Sequence, residues 1–350
     1  MSHPLLRFGL WLFTLLISFG LTTAQAADIL LQIDNDKVVD TDRHYTNGMR
    51  FAYTPTLSPG PSSKLHGTAV NLVELVRFKD TANLRVGWSF GQEMYTPENV
   101  DTTTPDRQDR PYAGWTYLGL TTQNTSPANT DGAAGFLDGF DRQDTFELDL
   151  GMIGPASKAA QLQNAVHRLI NVSVSRGWRS QIHNELGVQA TRIVKLRSQA
   201  KPVANLDWVQ YDFISHGSAH LGNVKTALST GLTARFGANL QEDFGPVYGT
   251  FALPQGKPKN NSIAFFFGFD AKAVARDIFL DGNSFRNSPD VKKNPLVLEA
   301  RLGVSSNIRM PSILGDKNLH LSLAMVNRTR EFTTQDKADR YGSIQATVNF

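Results

Sequence analysis

The carboxyl-terminal segment ends on an aromatic residue, and its side chains alternate on the way there. Phe350, Val348, Ala346 and Ile344 take one parity, while Asn349, Thr347 and Gln345 take the other. A strand with one apolar and one polar face needs an apolar medium on one side only. A last strand of this kind is expected in an outer-membrane β-barrel, where it pairs with the first strand and leaves no free backbone edge in lipid. An edge strand of a soluble sheet would alternate in the same way, so the other end of the chain has to be read as well.

At that end Arg7 is the only charge ahead of an apolar stretch from Phe8 to Leu21, followed by Thr22-Thr23-Ala24-Gln25-Ala26. A basic residue, an apolar core and an A-x-A site predict a secretory signal peptide over 1–26, cleaved after Ala26. No later segment has the unbroken apolar length of a transmembrane helix. The expectation is an exported chain with one barrel domain over 27–350.

The rest of the composition agrees. There is no cysteine among the 350 residues, so neither a disulfide framework nor thiolate chemistry is available. Charge is nearly balanced, 35 basic against 32 acidic residues, which gives no indication of a nucleic-acid partner. Hydrophobic residues make up 41% of the chain, as in a soluble protein, but a barrel turns only alternate residues to lipid.

A period of two recurs along the chain. Phe146, Leu148, Leu150 and Met152 oppose Glu147 and Asp149, and Ile263, Phe265, Phe267 and Phe269 oppose Asp270 and Lys272. Leu296, Leu298, Ala300 and Leu302 oppose Glu299 and Arg301. Acids and bases share the polar face, which predicts a lumen crossed by ion pairs. Twelve strands are expected, near 28–34, 46–55, 84–95, 113–124, 144–153, 184–197, 205–218, 224–236, 262–274, 294–306, 318–331 and 339–350. The fold class is therefore an all-β, antiparallel, up-and-down transmembrane barrel, expected as a monomer. With both termini periplasmic, connections 35–45, 96–112 and 154–183 face outward. Connections 56–83 and 125–143 fall on the periplasmic side and are long for turns.

The outward connections hold the chemistry. Residues 35–45 carry Asn35, Asp36, Asp40 and Asp42, an oxygen-rich stretch beside Arg43. The EF-hand pattern fails, because Val38 replaces a ligand and no Gly or terminal Glu follows at the right spacing. A less specific oxygen-rich cation site stays open, as does a solvated loop. In 154–183, Pro155 and Ser157 precede a stretch from Lys158 to Ile170 without Gly or Pro, which predicts a short helix with Ser157 as N-cap. Gln163 and His167 are four apart and lie on one face. A lone histidine on a helix is more often a structural residue than a base.

Taken together, these segments become familiar. Asn35-Asp36, Thr46-Asn47-Gly48, Gly91-Gln92 with Tyr95-Thr96-Pro97, Asp109-Arg110-Pro111-Tyr112-Ala113-Gly114-Trp115, Gly154-Pro155-Ala156-Ser157 with Gln163 and His167, and Gly177-Trp178 with Gln181 and Glu185 occur in an order that resembles the LpxR-type lipid A deacylases of Gram-negative outer membranes. The resemblance runs over the mature chain and is densest before residue 190. It implies a twelve-stranded barrel and calcium-dependent hydrolysis of the ester-linked 3′-acyl chain of lipid A in the outer leaflet. It also implies active-site roles for Asn35, Asp36, Thr46, Gln163 and His167, with lipopolysaccharide as substrate. In one respect the chain departs from the family. Where a catalytic lysine is expected after the Tyr-x-Pro segment, residues 98–104 contain none, and Arg107 and Arg110 are the cations that would stand in.

Elementary chemistry runs parallel to the resemblance. Ester hydrolysis needs a base for water, a stabiliser for the oxyanion, and a hold on an amphiphile. His167 would take the proton. A cation held partly by Asp36 would polarise the carbonyl, and Asn35 and Thr46 would orient hydrogen bonds around the same carbon. Arg43, Arg107 and Arg110 would meet phosphates. An outer-membrane phospholipase and a non-catalytic channel or structural barrel are the alternatives. Gly87-Trp88-Ser89-Phe90-Gly91 satisfies G-x-S-x-G, but Ser89 falls mid-strand rather than on a strand-to-helix turn. His216 and His220 read as rim or lumen residues.

Overall fold

A computed structural model describes residues 27–36, 44–55, 84–104, 106–128, 139–169, 174–204, 206–240, 243–245, 260–310 and 317–349. The segment 1–26, the whole connection 56–83, residues 129–138 and Phe350 lie outside the described residues.

Strands form where the alternation predicts them: β1 (Ala27–Asn35), β2 (His44–Pro55), β3 (Arg85–Thr96), β4 (Ala113–Ser126), β5 (Asp141–Ile153) and β6 (Glu185–Arg197). They are followed by the three-residue β7 (Lys201–Val203), then β8 (Leu206–Gly222), β9 (Lys225–Ala238), β10 (Ser262–Asp277), β11 (Leu296–Arg309), β12 (Asn318–Arg328) and β13 (Asp339–Asn349). Among the described residues two α-helices interrupt them, α1 (Ala159–Leu169) and the single-turn α2 (Ile278–Asp281). Consecutive strands pair antiparallel, and β1 pairs with β13 in the register Ile29↔Val348 and Ile33↔Ile344. The expected closure between first and last strands is therefore present. β6 pairs with β8 through Arg197↔Ile214, and β7 continues that edge from Lys201↔Tyr211. The result is a closed barrel of twelve long strands, with β7 as an extension of β6.

Parity divides the wall into two chemistries. Trp88, Phe90, Leu118, Leu150, Leu232, Phe267 and Leu302 point outward and are exposed, as a lipid-facing surface requires. The opposite parity carries buried charge. Arg50 meets Glu147 at 2.5 Å, Arg301 meets Asp270 at 2.5 Å, and Glu299 joins Lys272 at 2.9 Å to Arg328 at 2.6 Å. A buried ion survives only beside a counter-ion, because desolvation of a lone charge costs several kcal/mol. These cross-strand pairs fill the lumen that the sequence predicts. Ser89 is one of the inward residues and donates to Glu147 at 3.3 Å, so it is no nucleophile elbow. His216, 2.8 Å from Asp270, is a lumen residue too.

Toward the loop end the filling turns apolar. Tyr95, Trp115, Tyr117, Ile153, Ile182, Val224, Ile278 and Phe279 form one buried cluster, with Tyr95 stacked on Phe279 at 4.3 Å. α2 enters this cluster, capped by Asp277, whose side chain accepts from the Phe279 amide at 3.0 Å.

Above the cluster the loops are tied to one another. His44 bridges Asp339 at 2.7 Å and Asp109 at 3.3 Å, and Arg110 reaches Glu331 at 3.1 Å. Burial alone would raise the Asp109 pKa, but hydrogen bonds from His44 and the Glu98 amide hold it below the usual carboxylate range. Burial likewise opposes ionisation of Glu331, yet Arg328 and Arg110 bring it down to about 2. Both folded pKa values are depressed, so their contribution is present above the unfolded carboxylate pKa and is lost as pH falls through the folded values. Acidification from about pH 4.5 toward pH 2 is expected to release the loops before the wall. Hydrogen exchange over 97–112 and 329–338 should rise in that window while β10 and β11 amides stay protected, and equal protection at both pH values would contradict this account.

Candidate active site on the outer wall

α1 starts where local chemistry dictates. The turn Gly154–Ser157 ends with Lys158 at φ 59°, and the Ser157 hydroxyl accepts from the Ala159 amide at 3.4 Å while donating to the Gly154 carbonyl at 2.6 Å. Ala159, Gln163 and His167, each four apart, form the buried stripe of the helix, whereas Gln161, Ala165 and Arg168 are exposed.

What this stripe packs against decides where the site lies. Gln92 donates to the Ser157 carbonyl at 2.9 Å and to the Thr116 hydroxyl at 2.7 Å, and Thr116 also donates to the Ser157 carbonyl at 2.7 Å. Met94, Tyr112, Ala159 and Trp178 share one apolar cluster, with Tyr112 and Trp178 rings 5.0 Å apart. A Cβ on Gly114 would stand 2.3 Å from the Ala159 Cβ and 2.5 Å from the Ser157 hydroxyl, so only glycine admits the helix this close. Gln92 and Met94 share parity with Trp88 and Phe90 on β3, and Gly114 and Thr116 share parity with Leu118 on β4. α1 therefore lies on the outside of the barrel, directly above the lipid-facing rows, and not in the lumen.

The residues from the first hairpin reach the same wall. Asn35 ends β1 on the outward parity and donates through Nδ2 to the Thr46 carbonyl at 3.2 Å. The β2–β3 register slips between Tyr45 and Asn47, so Thr46 sits at a bulge, a device that re-aims a side chain. Its hydroxyl meets that of Thr96 at 2.7 Å. Thr96 stands two residues beyond Met94 on the same outward row, so β3 links the Asn35–Thr46 pair to the helix that carries Gln163 and His167. Asp36 follows β1 and is 1% exposed.

The candidate cations separate. Arg107 is exposed in the loop after β3. Arg110 is 0% exposed, held by Glu331 and stacked 4.5 Å over the Tyr95 ring, which places it inside the loop network. Arg43 lies outside the described residues. Around α1, Lys158, Arg168, Arg176 and Arg179 are exposed as well.

Gln92, Thr96 and Gly114 carry the site without having been assigned a role from sequence. The signal was present: they are polar or side-chain-free positions on rows that lower down hold Trp88, Phe90 and Leu118. A lipid-facing row that turns polar near its end marks a place where protein covers the wall.

Among the described residues, no group of three or more His, Cys, Asp or Glu side chains stands close enough to hold a metal ion. Asn35 reaches the Thr46 carbonyl, and the next residue in the chain, Asp36, is buried; the oxygen donors these residues offer are hard and suit calcium better than a soft metal.

A family model described as "Outer membrane protein LpxR" matches residues 10–350. The solved structure of LpxR from Salmonella typhimurium is similar over 92% of this chain and 100% of its own, with a TM-score of 0.69 and 19% identity. The β domain of the Bordetella autotransporter BrkA is similar at a TM-score of 0.40 and 10% identity, over 93% of this chain and 97% of its own. No curated protein matches in sequence. With the family model spanning almost its whole length, the chain belongs to the LpxR family of outer-membrane proteins.

Proposed function

We propose that this protein hydrolyses the ester-linked 3′-acyl chain of lipid A in the outer leaflet, with His167 as general base. Family membership supports the broader class, a lipid-modifying hydrolase of the outer membrane. The 3′-position is taken from the family resemblance alone, and the observation that supports an ester substrate held in the membrane is the position of α1. Its buried stripe of Gln163 and His167 faces a barrel wall whose rows continue downward as lipid-facing Trp88, Phe90 and Leu118. An amphiphile anchored in that leaflet reaches such a site sideways, without leaving the membrane. A lumen crossed by ion pairs and closed by an aromatic cluster argues against a channel.

In this mechanism water adds to the ester carbonyl carbon as His167 accepts its proton. The acyl carbon–oxygen bond then breaks, and His167 returns the proton to the sugar alkoxide, releasing a free fatty acid. Asn35 and Thr46 hold the hairpin edge beside the reacting carbon and orient hydrogen bonds around it. Asp36, with neutral oxygens of Asn35 and Thr46, would hold calcium, which when bound polarises the ester carbonyl as a Lewis acid. Exposed Arg107, Arg168 and Arg179 supply charge for lipid A phosphates.

Mass spectrometry of lipid A from cells with and without the protein tests this reading. Loss of one ester-linked acyl group that stops on chelation and returns with calcium is the expected result. Unchanged lipid A with released lysophospholipid would reassign the enzyme to glycerophospholipids, and full activity after exhaustive chelation would remove the cation from the mechanism.

A further inference from the structure

Trp178 holds Gln163 in one of its two amide orientations. The indole Nε1 of Trp178 donates to Gln163 Oε1 at 2.6 Å, and both side chains are buried. An indole N–H can only donate, so the amide oxygen must face it and the NH2 group must face away. That NH2 is itself buried and has no hydrogen-bond partner among the described residues. A buried unpartnered donor is costly, and a protein retains one where a ligand atom completes it. Here the donor lies one helical turn from His167, on the same buried stripe.

We infer that Trp178 is a positioning residue for the reaction: it fixes the Gln163 amide so that its NH2 is presented as a ready-oriented donor to an oxygen of the ester substrate. The inference rests on the hydrolase reading above and adds to it a residue outside α1. The surrounding structure is built to keep Trp178 still. Its ring packs on Tyr112 and against Met94 and Ala159, and its 3-10 turn, Gly177–Ser180, is pinned by Gln181, whose Nε2 donates to the Trp178 carbonyl at 2.9 Å. On one side of the turn the Arg176 amide donates to the Val100 carbonyl at 2.9 Å, and on the other the Ile182 amide donates to the Tyr112 carbonyl at 3.0 Å. The donor's direction is thus set by the loop after β3 through Trp178. A freely rotating glutamine would present oxygen and nitrogen about equally to the substrate.

Trp178→Phe keeps an aromatic ring in the cluster and removes the N–H together with the five-membered ring that carries it. In purified, folded barrel this variant is expected to lose about tenfold in kcat with KM nearly unchanged, as for an interaction made mainly in the transition state. Gln163→Leu should lose at least as much, and the double variant should lose no more than Gln163→Leu alone, since the indole acts only through the amide. Independent, multiplying losses in the double variant, or wild-type kcat in Trp178→Phe, would overturn the inference. A second measurement needs no substrate. The indole N–H resonance of Trp178, assigned by its disappearance in Trp178→Phe, should move upfield in Gln163→Leu. If the wild-type protein hydrolyses no lipid ester, the hydrolase reading fails, and this resonance alone then decides the pairing: unmoved, it overturns it.

Discussion

His167→Gln is expected to give a folded, heat-modifiable barrel that no longer releases fatty acid from lipid A. The histidine is 5% exposed on the buried stripe of α1, and glutamine is close enough in length to occupy the same space. It can hold a hydrogen bond there, but it cannot take a proton from water at neutral pH. Removing a general base costs on the order of a hundred- to ten-thousand-fold in rate, so the loss should be large in kcat and small in KM. A histidine that merely packs the helix against the wall predicts the opposite pattern, a helix end that frays and an activity change of a few fold. Initial rates on lipid A vesicles, with proteolysis of the 154–183 loop as a measure of folding, separate the two. Near-normal turnover in a correctly folded variant would end the general-base mechanism while leaving the barrel intact.

Gly114→Val should silence the enzyme from a distance. Its new side chain points outward, where a β-branched residue suits a strand facing lipid, so β4 is expected to form and the barrel to assemble. The clash falls on α1 instead, with the added Cβ 2.3 Å from Ala159 and 2.5 Å from the Ser157 hydroxyl. Because Ser157 starts the helix and its carbonyl is held by Gln92 and Thr116, lifting that end carries Gln163 and His167 off the wall. A displacement of about 1 Å at a reacting group can cost about a hundredfold, and a loss of at least that size is expected. Leu118→Ala, four residues down the same outward row and away from the helix, is the control that should keep full activity. Activity in Gly114→Val equal to that of the control would show that α1 does not need to dock here.

The barrel was legible because its physics is local. Each strand must show lipid one face and the lumen another, so a period of two marks β3, β5 or β10 without knowledge of any partner, and an even number of such strands predicts closure. The helix was legible for a similar reason: Pro155 and Ser157 start it, no Gly or Pro interrupts it, and a spacing of four puts Gln163 and His167 on one face. Phe350 is different in kind. Phe350 lies outside the described residues, and the closure it suggested rests on the pairing of β1 with β13.

Contacts between distant segments behave otherwise. From sequence Arg110 and Arg107 are equivalent cations in one loop. Only the fold shows Arg110 buried against Glu331, 221 positions away, and Arg107 exposed. The same holds for Gln92, an unremarkable polar residue until the helix lands on it. By itself the sequence determined a twelve-stranded, lipid-facing barrel with a short helix bearing Gln163 and His167 on one stripe, because alternation and helical spacing are properties of a single segment. Only the tertiary structure decided that this helix lies outside the wall, that a bulge turns Thr46 toward Thr96, and that Trp178 orients Gln163. Those outcomes depend on which surfaces can approach each other in three dimensions, and here that depended on a glycine at position 114 leaving room for a helix to sit on the wall.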